Sequence, residues 1–358
     1  MINVTKTFLP LRKTFDGYVD KIYKNGWLTN FGPLEIELTN KLKEYLEVDH
    51  LLLLSNGTLP LHILYKALGL KGEVITTPFS FVATTSSLVW ENLTPKFSDI
   101  EADSFNLDPK LIEKQITDKT SCILPVHVFG RVCDVWEIQR IADKYKLKVV
   151  YDAAHAFNVK TYENKNILNY GDASTISFHA TKLFHTIEGG AIISKDSNLI
   201  KECKKLINFG ITGYDQIDSI GTNCKMNEFS AAMGLAVLEN IDYIMESRRL
   251  VHDTYCKYLN PEFLPKKIDY ANNNYSYYPI LLKDEITLLA LREALLANGI
   301  MPRRYFYPSL NTLSYITEKQ PCLVSESIAS RILCLPMYDS LSKIDIIRIS
   351  NIVNNLVK

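Results

Sequence analysis

Residues 51–77 read LLLLSNGTLPLHILYKALGLKGEVITT, and this stretch contains the pattern that decides the fold. An apolar run at 51–54 ends in a polar turn, and an amphipathic stretch at 59–68 leads to a second apolar run at 73–77. Short apolar runs predict buried strands, and the longer stretch with helical spacing predicts a helix. A strand, a crossover helix and a second strand in this order are typical of an α/β protein with a mostly parallel sheet.

The same alternation continues to about residue 195. The further strand candidates are residues 122–127, 148–154, 174–179 and 190–194, and the further helix candidates are 135–145 and 199–207. Ligands of such sheets bind beyond the carboxyl ends of the strands. We therefore expect the functional site in the loops that follow Leu54, Thr77, His127, Ala154 and His179.

The composition narrows the class of protein. The chain has 358 residues, 47% of them hydrophobic, and its 40 Lys and Arg residues balance 40 Asp and Glu residues. This length and apolar fraction predict a folded protein of about two domains, whereas the neutral charge argues against nucleic acid as a partner. No apolar run reaches the ~18 residues of a membrane helix, and the N-terminus shows no secretory signal, so no membrane association is expected.

The seven cysteines are scattered, and no two of them lie at C-x-x-C spacing. This pattern favours neither a disulfide framework nor a structural zinc site, and we predict no metal site. We expect most of the cysteines to be buried thiols in a protein of the reducing cytoplasm.

The sequence beyond residue 226 predicts a second, smaller unit. The expected elements are a long helical stretch at 227–259, a strand at 277–282, a helix at 286–298 and a final helix at 343–357. Prolines and an asparagine run between the first two of these elements are typical of a boundary. The predicted domains are therefore a large one at 1–245 and a smaller α+β one at 246–358.

Residues 177–192, SFHATKLFHTIEGGAI, are the densest group of chemically active side chains. A strand ends, and a polar turn then presents Ser177, His179, Thr181 and Lys182. Burial at the end of a strand lowers the pKa of a lysine, which suits a nucleophile that forms a Schiff base. The alternative is an exposed lysine in a loop, since most lysines are exposed.

Two further loops carry candidate ligand-binding groups. In VVYDAAHAF, residues 149–157, Asp152 ends an apolar strand and precedes two alanines small enough to admit a flat ring. Its carboxylate could pair with a protonated ring nitrogen, coordinate a metal or cap a helix. In LSNGTLPL, residues 54–61, a helix start offers free N–H groups and the Thr58 hydroxyl to a phosphate. The alternative there is an ordinary capped helix.

A lysine for an aldehyde, an aspartate for a pyridine nitrogen and a helix start for a phosphate are together the groups that hold pyridoxal phosphate. The sequence that contains these groups resembles the DegT/DnrJ/EryC1/StrS family of sugar aminotransferases. The resemblance rests on GWLTNFGPLE (26–35), TTPFSFVATTSS (76–87), LPVHVFG (124–130), GTNCKMNEFSAAMGL (221–235) and RRYFYPSL (303–310). It implies the fold-type I architecture, with a large mostly parallel-sheet domain and a smaller α+β domain, and pyridoxal 5'-phosphate as the cofactor.

The resemblance also implies roles for individual residues. Lys182 would bind the cofactor aldehyde and Asp152 would keep the ring nitrogen protonated, so these two are the predicted catalytic residues. Phe81 would stack on the ring, and His155 would reach its hydroxyl group. The phosphate would be bound by Gly57, Thr58, Leu59 and Ser177, and by Asn223 of the neighbouring subunit in a homodimer with shared active sites.

The reaction that the resemblance implies is the transfer of an amino group from L-glutamate to a nucleotide-linked keto-deoxysugar. The N-terminal segment resembles the branch of the family that aminates dTDP-4-keto-6-deoxy-D-glucose at carbon 4. The alternatives are a 3-aminotransferase for a dTDP-3-keto-6-deoxyhexose, or a module that binds a phosphate ligand without catalysis. The predicted substrate-binding residues are Trp27, Thr29, Phe31, His185, Glu188, Arg304, Tyr305 and Tyr307.

Overall fold

The computed structural model describes residues 1–265 and 271–356. Its strands are β1 (Ile2–Asn3), β2 (His50–Leu54), β3 (Glu73–Thr76), β4 (Thr94–Phe97), β5 (Thr120–Leu124), β6 (Lys148–Asp152), β7 (Ala173–Ser177), β8 (Gly190–Ser194), β9 (Ile211–Gly213), β10 (Gln216–Ile217), β11 (Tyr278–Leu281), β12 (Ile300–Met301) and β13 (Ile332–Leu335). Its α-helices are α1 (Arg12–Asn25), α2 (Pro33–Leu46), α3 (Leu59–Ala67), α4 (Val82–Trp90), α5 (Pro109–Ile112), α6 (Val135–Tyr145), α7 (Ser197–Leu206), α8 (Glu228–Leu238), α9 (Ile241–Tyr258), α10 (Glu285–Ala297), α11 (Leu323–Arg331) and α12 (Lys343–Leu356). No helix within the two described ranges is both long and apolar enough to cross a membrane.

In the described part of the chain, seven strands form the central sheet in the order β2-β8-β7-β6-β5-β3-β4. The strands from β7 to β4 run parallel, and β8 is antiparallel to both of its neighbours. The predicted mostly parallel sheet is therefore confirmed. Strand β4 is absent from the sequence-based expectation because Pro95 interrupts its pattern. It pairs with β3 at the edge of the sheet, where a proline is tolerated.

Helices cover both faces of this sheet. Leu51 and Leu53 pack in one core with α1, α2, α6 and α8, whereas Leu52 and Leu54 pack in a second core with α3 and α7. Successive side chains of a strand point to opposite faces, so a strand buried on both faces is a continuous apolar run. Ligands can therefore approach the sheet at the ends of its strands, where the loops carry the polar residues.

The predicted continuous helix at 227–259 is wrong, because α8 and α9 are separate helices. The Asn240 N–H group donates to Val237 O at 3.0 Å, one residue short of a regular helical bond. The Asn240 side chain donates instead to Ala236 O at 2.9 Å. An asparagine side chain that takes over a backbone acceptor in this way ends the helix and lets the chain turn.

The C-terminal part of the chain has its own core around α9, α10 and α12, beside the antiparallel pair of β11 and β13. Helix α9 joins the two units, because Ile244 packs in the sheet core and Val251 and Tyr255 pack in the C-terminal core. The predicted boundary at residue 245 lies within this helix and stays a prediction. In one respect the structure differs from the predicted division at 1–245: β1 pairs with β12, so Ile2 packs in the C-terminal core.

Candidate active site

A cavity of about 290 Å³ opens at the carboxyl edge of the central sheet. The loops that follow β2, β3, β6 and β7 form most of its wall, and two segments of the C-terminal unit complete it. It is lined by Asn56, Gly57, Thr58, Leu61, Ser80, Phe81, Ala83, Val126, Asp152, Ala154, His155, Ser177, His179, Thr181, Lys182, Glu188, Tyr277, Arg303, Tyr305 and Phe306. This is the edge at which ligands of parallel sheets bind.

A second depression, of about 430 Å³, lies at the opposite edge of the sheet and includes Lys148 and Asp172. These two side chains pair with each other at 2.8 Å, so their charges are already balanced. None of the predicted catalytic residues lies in this depression. The chemically active groups of the described chain therefore converge on the smaller cavity.

Lys182 lies in the cavity, in the turn between β7 and β8. The turn is closed by a hydrogen bond from the Lys182 N–H group to His179 O at 2.8 Å. Burial lowers the pKa of the Lys182 amine to about 8, with Arg303 acting in the same direction and Asp152 opposing both. A substantial fraction of this amine is therefore neutral near physiological pH, as a nucleophile or a general base requires.

Asp152 ends β6, and its carboxylate is buried at the floor of the cavity. Its Oδ2 accepts a bond from the Thr84 hydroxyl at 2.8 Å, and its Oδ1 accepts one from the Ala154 N–H group at 3.1 Å. The Ser80 hydroxyl lies 2.8 Å from Thr84 Oγ1, and Thr84 can accept a bond from it while donating its own proton to Asp152. Burial raises the pKa of Asp152, with these two bonds opposing it. A protonated nitrogen placed against this carboxylate would offset its desolvation.

His155 is buried beside the cavity between aromatic rings. Its Nδ1 accepts a bond from the Phe129 N–H group at 3.3 Å, so we assign the ring proton to Nε2. The ring stacks on Phe306, with centroids 5.5 Å apart and an interplanar angle of 6°. Burial lowers the pKa of His155 well below its usual value, so the ring stays neutral and offers one N–H donor.

The loop after β2 packs tightly against the end of β7. A Cβ on Gly57 would lie 2.6 Å from both Cβ and Oγ of Ser177, so the chain admits only glycine there without a shift. The N–H groups of Thr58 and Leu59 donate to Asn56 Oδ1 at 2.9 and 3.0 Å. The predicted free N–H groups at this helix start are thus bonded within the chain, and Leu59 lies outside the cavity wall. The hydroxyl groups of Thr58 and Ser177 remain as donors beside Gly57.

Aromatic side chains give the cavity an apolar wall. Phe81 precedes α4 and exposes 49% of its surface, and its ring lines the cavity. On the C-terminal side, the guanidinium group of Arg303 lies 4.4 Å from the ring centroid of Tyr305. This wall can accommodate a flat ligand ring, with one cation at its border.

Only some of the predicted substrate-binding residues line the cavity. Glu188 and Tyr305 line the cavity, and Glu188 Oε1 lies 3.5 Å from His179 Nε2. His185 is buried outside the cavity, where its Nε2 bonds to Phe8 O at 2.8 Å. Arg304 bonds to Glu285 at 2.6 Å and lies 3.5 Å from the ring centroid of Tyr307, also outside the cavity.

None of the remaining predicted residues lines the cavity of this chain. Trp27 and Thr29 are exposed in the segment between α1 and α2. Phe31 in the same segment is half-buried, with Lys204 Nζ 4.6 Å from its ring centroid. Asn223 is exposed and forms a β-bridge with Asn208. A role for these residues in binding stays a prediction.

Three residues of the site escape sequence reasoning: Thr84, Tyr277 and Phe306. Thr84 lies in the first turn of α4 among other small polar residues, TTSS at 84–87, and nothing in that pattern distinguishes it. Tyr277 lies among four aromatic or polar residues, YSYY at 275–278, and nothing in that pattern distinguishes it. Its position depends on how the C-terminal unit packs against the sheet.

Comparisons with known proteins agree with this geometry. Residues 10–354 match the DegT/DnrJ/EryC1/StrS aminotransferase family. The chain is 40% identical to a dTDP-4-amino-4,6-dideoxy-D-glucose transaminase of Escherichia coli over 98% of each chain, and 42% identical to one of Shigella dysenteriae over 95% of each. The crystal structure of DesI with its TDP-sugar product superposes with a TM-score of 0.94, at 32% identity, over 99% of this chain and 93% of DesI. The fold-type I architecture is thereby confirmed, and the chain belongs to the DegT/DnrJ/EryC1/StrS aminotransferase family.

Proposed function

We propose that the protein transfers the amino group of L-glutamate to dTDP-4-keto-6-deoxy-D-glucose and forms dTDP-4-amino-4,6-dideoxy-D-glucose, with pyridoxal 5'-phosphate as cofactor. The observation that carries this proposal is the convergence of Lys182 and Asp152 in one buried cavity. A module that only binds a phosphate ligand needs neither a lysine of lowered pKa nor a buried carboxylate beside it. The choice of sugar rests on the names of the two relatives in Escherichia coli and Shigella dysenteriae.

The residues of the cavity fit this cofactor. Asp152 is buried, and among the described residues its hydrogen-bond donors are the neutral groups of Thr84 and Ala154, so a protonated ring nitrogen would complete its surroundings. The hydroxyl groups of Thr58 and Ser177 border the space at Gly57 that a Cβ would obstruct, which suits a phosphate. Phe81 offers a ring face, and the Nε2–H group of His155 offers a donor to a ring hydroxyl.

The chemistry then divides among residues of this chain. Pyridoxal phosphate, when bound, supplies an electron sink for the charge that forms at the carbon bearing the amino group. Asp152 would keep a proton on the ring nitrogen, because a carboxylate in a desolvated site favours a cation beside it. Lys182 would hold the cofactor by its aldehyde, and its amine Nζ, when free, would accept and return the proton of the substrate carbon.

Further binding roles belong to the same proposal. Glu188 and Arg303 at the border of the cavity are positioned to contact the sugar nucleotide or the donor carboxylate. We propose that the protein acts as a homodimer in which Asn223 and the exposed segment around Trp27 reach the partner's cavity. All seven cysteines lie in the described ranges and are free thiols, which supports a cytoplasmic protein.

An assay with purified protein tests the choice of substrate. The protein is incubated with pyridoxal phosphate, L-glutamate and dTDP-4-keto-6-deoxy-D-glucose, and NMR locates the carbon that carries the new amino group. We expect amination at carbon 4. A protein that turns over a dTDP-3-keto-6-deoxyhexose and leaves the 4-keto sugar unchanged is instead the alternative 3-aminotransferase. Absence of turnover with both sugars, despite cofactor binding, contradicts both assignments.

Substitution of Gly57 by alanine should weaken cofactor binding by about 10- to 100-fold, the value of one good hydrogen bond to a charged group. The added methyl group would lie 2.6 Å from Ser177 Oγ, so this hydroxyl must move away from the phosphate. Equilibrium titration with pyridoxal phosphate, followed by absorbance, measures the change.

Gly17→Ala is the matched control for this variant. Gly17 lies in α1, and a Cβ added to it meets no atom within 4 Å. Alanine is also the better helix former, so this variant should bind the cofactor as the wild type does and be no less stable. Equal affinities for Gly57→Ala and Gly17→Ala would contradict the assigned phosphate position.

A further inference from the structure

A tyrosine of the C-terminal unit contacts the amine of Lys182. Tyr277 immediately precedes β11, and its Oη lies 3.2 Å from Lys182 Nζ. Among the described residues, the Lys182 amine has this hydroxyl as its only hydrogen-bond partner. The Tyr277 ring lies edge-on to His155, with centroids 4.8 Å apart, so it also borders the proposed cofactor ring position. The cavity wall beside Lys182 therefore includes a residue of the C-terminal unit.

A phenol hydroxyl can bond to an amine in both of its protonation states. It accepts a bond from a charged ammonium group, and it donates its own proton to the lone pair of a neutral amine. Burial raises the pKa of Tyr277 well above its usual value, so the phenol keeps its proton over the range in which Lys182 titrates. Tyr277 can thus orient the amine without exchanging a proton with it.

The buried side chain of Asn274 fixes the segment that carries Tyr277. Asn274 donates to His155 O at 2.8 Å and to Phe157 O at 3.0 Å, and its Oδ1 accepts a bond from the Ser276 N–H group at 3.2 Å. These bonds attach the segment to the loop after β6. A Cβ on Gly130 would lie 2.7 Å from Asn274 Oδ1, so the attachment leaves no room for a larger residue there.

Arg248 holds the same segment from the side of α9. Its Nη1 lies 3.3 Å from Tyr275 O, 3.4 Å from Ser276 O and 3.2 Å from Met337 O. Arg248 is buried, and a guanidinium group that is buried among carbonyl oxygens is a rigid anchor. The position of the Tyr277 hydroxyl is therefore determined by contacts with both units of the chain.

From this geometry we propose that Tyr277 is a further catalytic residue, which holds the Lys182 amine in place and bonds to it in both protonation states. Asn274 and Arg248 are its positioning residues. The inference rests on the proposed function, since it concerns the lysine that binds the cofactor. Besides Tyr277, the charged and titratable groups that line the cavity with Lys182 are Asp152, His155, His179, Glu188, Arg303 and Tyr305.

The test compares Tyr277→Phe with the wild type. The probe is pyridoxal phosphate, and the rate at which the unloaded protein captures it is followed by absorbance at a series of pH values around 8. Only the neutral amine attacks an aldehyde, so the wild-type rate should rise with pH through the Lys182 pKa of about 8. Tyr277→Phe loses both bonds, but the bond to the ammonium form is charge-assisted and therefore the stronger one, so the midpoint should fall by about one pH unit. The half-reaction with L-glutamate should slow by about 10- to 100-fold.

Tyr278→Phe is the matched control. The Tyr278 hydroxyl contacts Cys256 Sγ at 3.6 Å, away from the cavity, so its loss should change neither the midpoint nor the half-reaction. An unchanged midpoint and rate in Tyr277→Phe, or the same changes in Tyr278→Phe, would overturn the inference while leaving the proposed function intact. A wild-type protein that fails to capture pyridoxal phosphate would overturn both.

Asn274→Ala provides a second variant that retains the Tyr277 hydroxyl. It should move the midpoint in the same direction as Tyr277→Phe and slow the half-reaction less. If Asn274 acts through Tyr277, the double variant should be no slower than Tyr277→Phe alone. Additive effects of the two substitutions, or an Asn274→Ala midpoint equal to that of the wild type, would remove Asn274 from the proposal.

Discussion

Replacement of Lys182 by alanine should lower the rate of the half-reaction with L-glutamate by about 10⁴-fold or more, because the chain loses both its nucleophile and its proton carrier. The side chain is buried in the cavity with a pKa lowered to about 8. Among the described residues that line the cavity, Lys182 is the only lysine, so no second amine is in place to replace it. Stopped-flow absorbance of the cofactor band on addition of L-glutamate measures the loss.

Lys148→Ala is the control for this prediction. Lys148 begins β6 at the opposite edge of the sheet, where its amine pairs with Asp172 at 2.8 Å. Its removal should leave the rate of the half-reaction unchanged. A Lys182→Ala protein that retains a substantial fraction of the wild-type rate would exclude Lys182 from catalysis, even if it still binds the cofactor.

The second large effect is expected for Asp152→Asn. An amide has nearly the same shape as the carboxylate and can keep a bond to the Ala154 N–H group, but it carries no charge to hold a proton on the ring nitrogen. We expect the half-reaction to slow by about 100- to 1,000-fold, since a buried ion pair with a cofactor nitrogen is lost. Single-turnover absorbance with L-glutamate measures this effect.

Stability separates a chemical role of Asp152 from a structural one. Burial raises the pKa of this carboxyl group in the folded protein, so folding stability falls as the pH rises from its ordinary value through the raised value. This penalty grows with pH across that window, and asparagine removes it because it cannot ionise. The unloaded Asp152→Asn protein should therefore unfold at a temperature no lower than that of the wild type.

Asp172→Asn gives the opposite pattern. The Asp172 carboxylate accepts bonds from Lys148 Nζ and from the Val149 N–H group, each at 2.8 Å, on the other edge of the sheet. Its substitution should lower the unfolding temperature and leave the rate unchanged. A loss of stability in Asp152→Asn that matches its loss of rate would indicate that Asp152 only supports the fold.

The sheet was largely predictable because each central strand is buried on both faces. The run LLLL at the end of β2 supplies side chains to two cores at once, and such runs are visible in a single sequence. The antiparallel direction of β8 was not predictable, since the apolar pattern of a strand does not depend on the direction in which the strand runs in the sheet. The break between α8 and α9 depends on one bond of the Asn240 side chain, which no periodicity reveals.

The candidate site was predictable to the extent that its residues follow strands. Asp152 ends a strand, and Lys182 and Gly57 lie in loops at the carboxyl ends of other strands of the same sheet, so the topology brings the three together. The groups that complete the site come from elsewhere. Tyr277 and Phe306 reach it through the packing of the C-terminal unit, and the contacts of Asn274 and Arg248 that position this unit link residues far apart in the chain.

The substrate pocket was the least predictable part. By residue type, His185 and Arg304 are typical ligands of anionic sugars. In the structure, however, His185 bonds to Phe8 O and Arg304 bonds to Glu285. Residue type indicates what a side chain can bind, whereas its direction depends on neighbours that a single sequence does not specify. Among the predicted set, Glu188 and Tyr305 are the residues that line the cavity of this chain.

The most direct test of the central claim is to locate the cofactor on the chain. The purified protein is loaded with pyridoxal phosphate and reduced with borohydride, and its proteolytic peptides are then analysed by mass spectrometry. We predict a phosphopyridoxyl group on Lys182 and on no other lysine. A label on a different lysine, or a protein that remains unlabelled after loading, would contradict the assignment of this cavity as the active site.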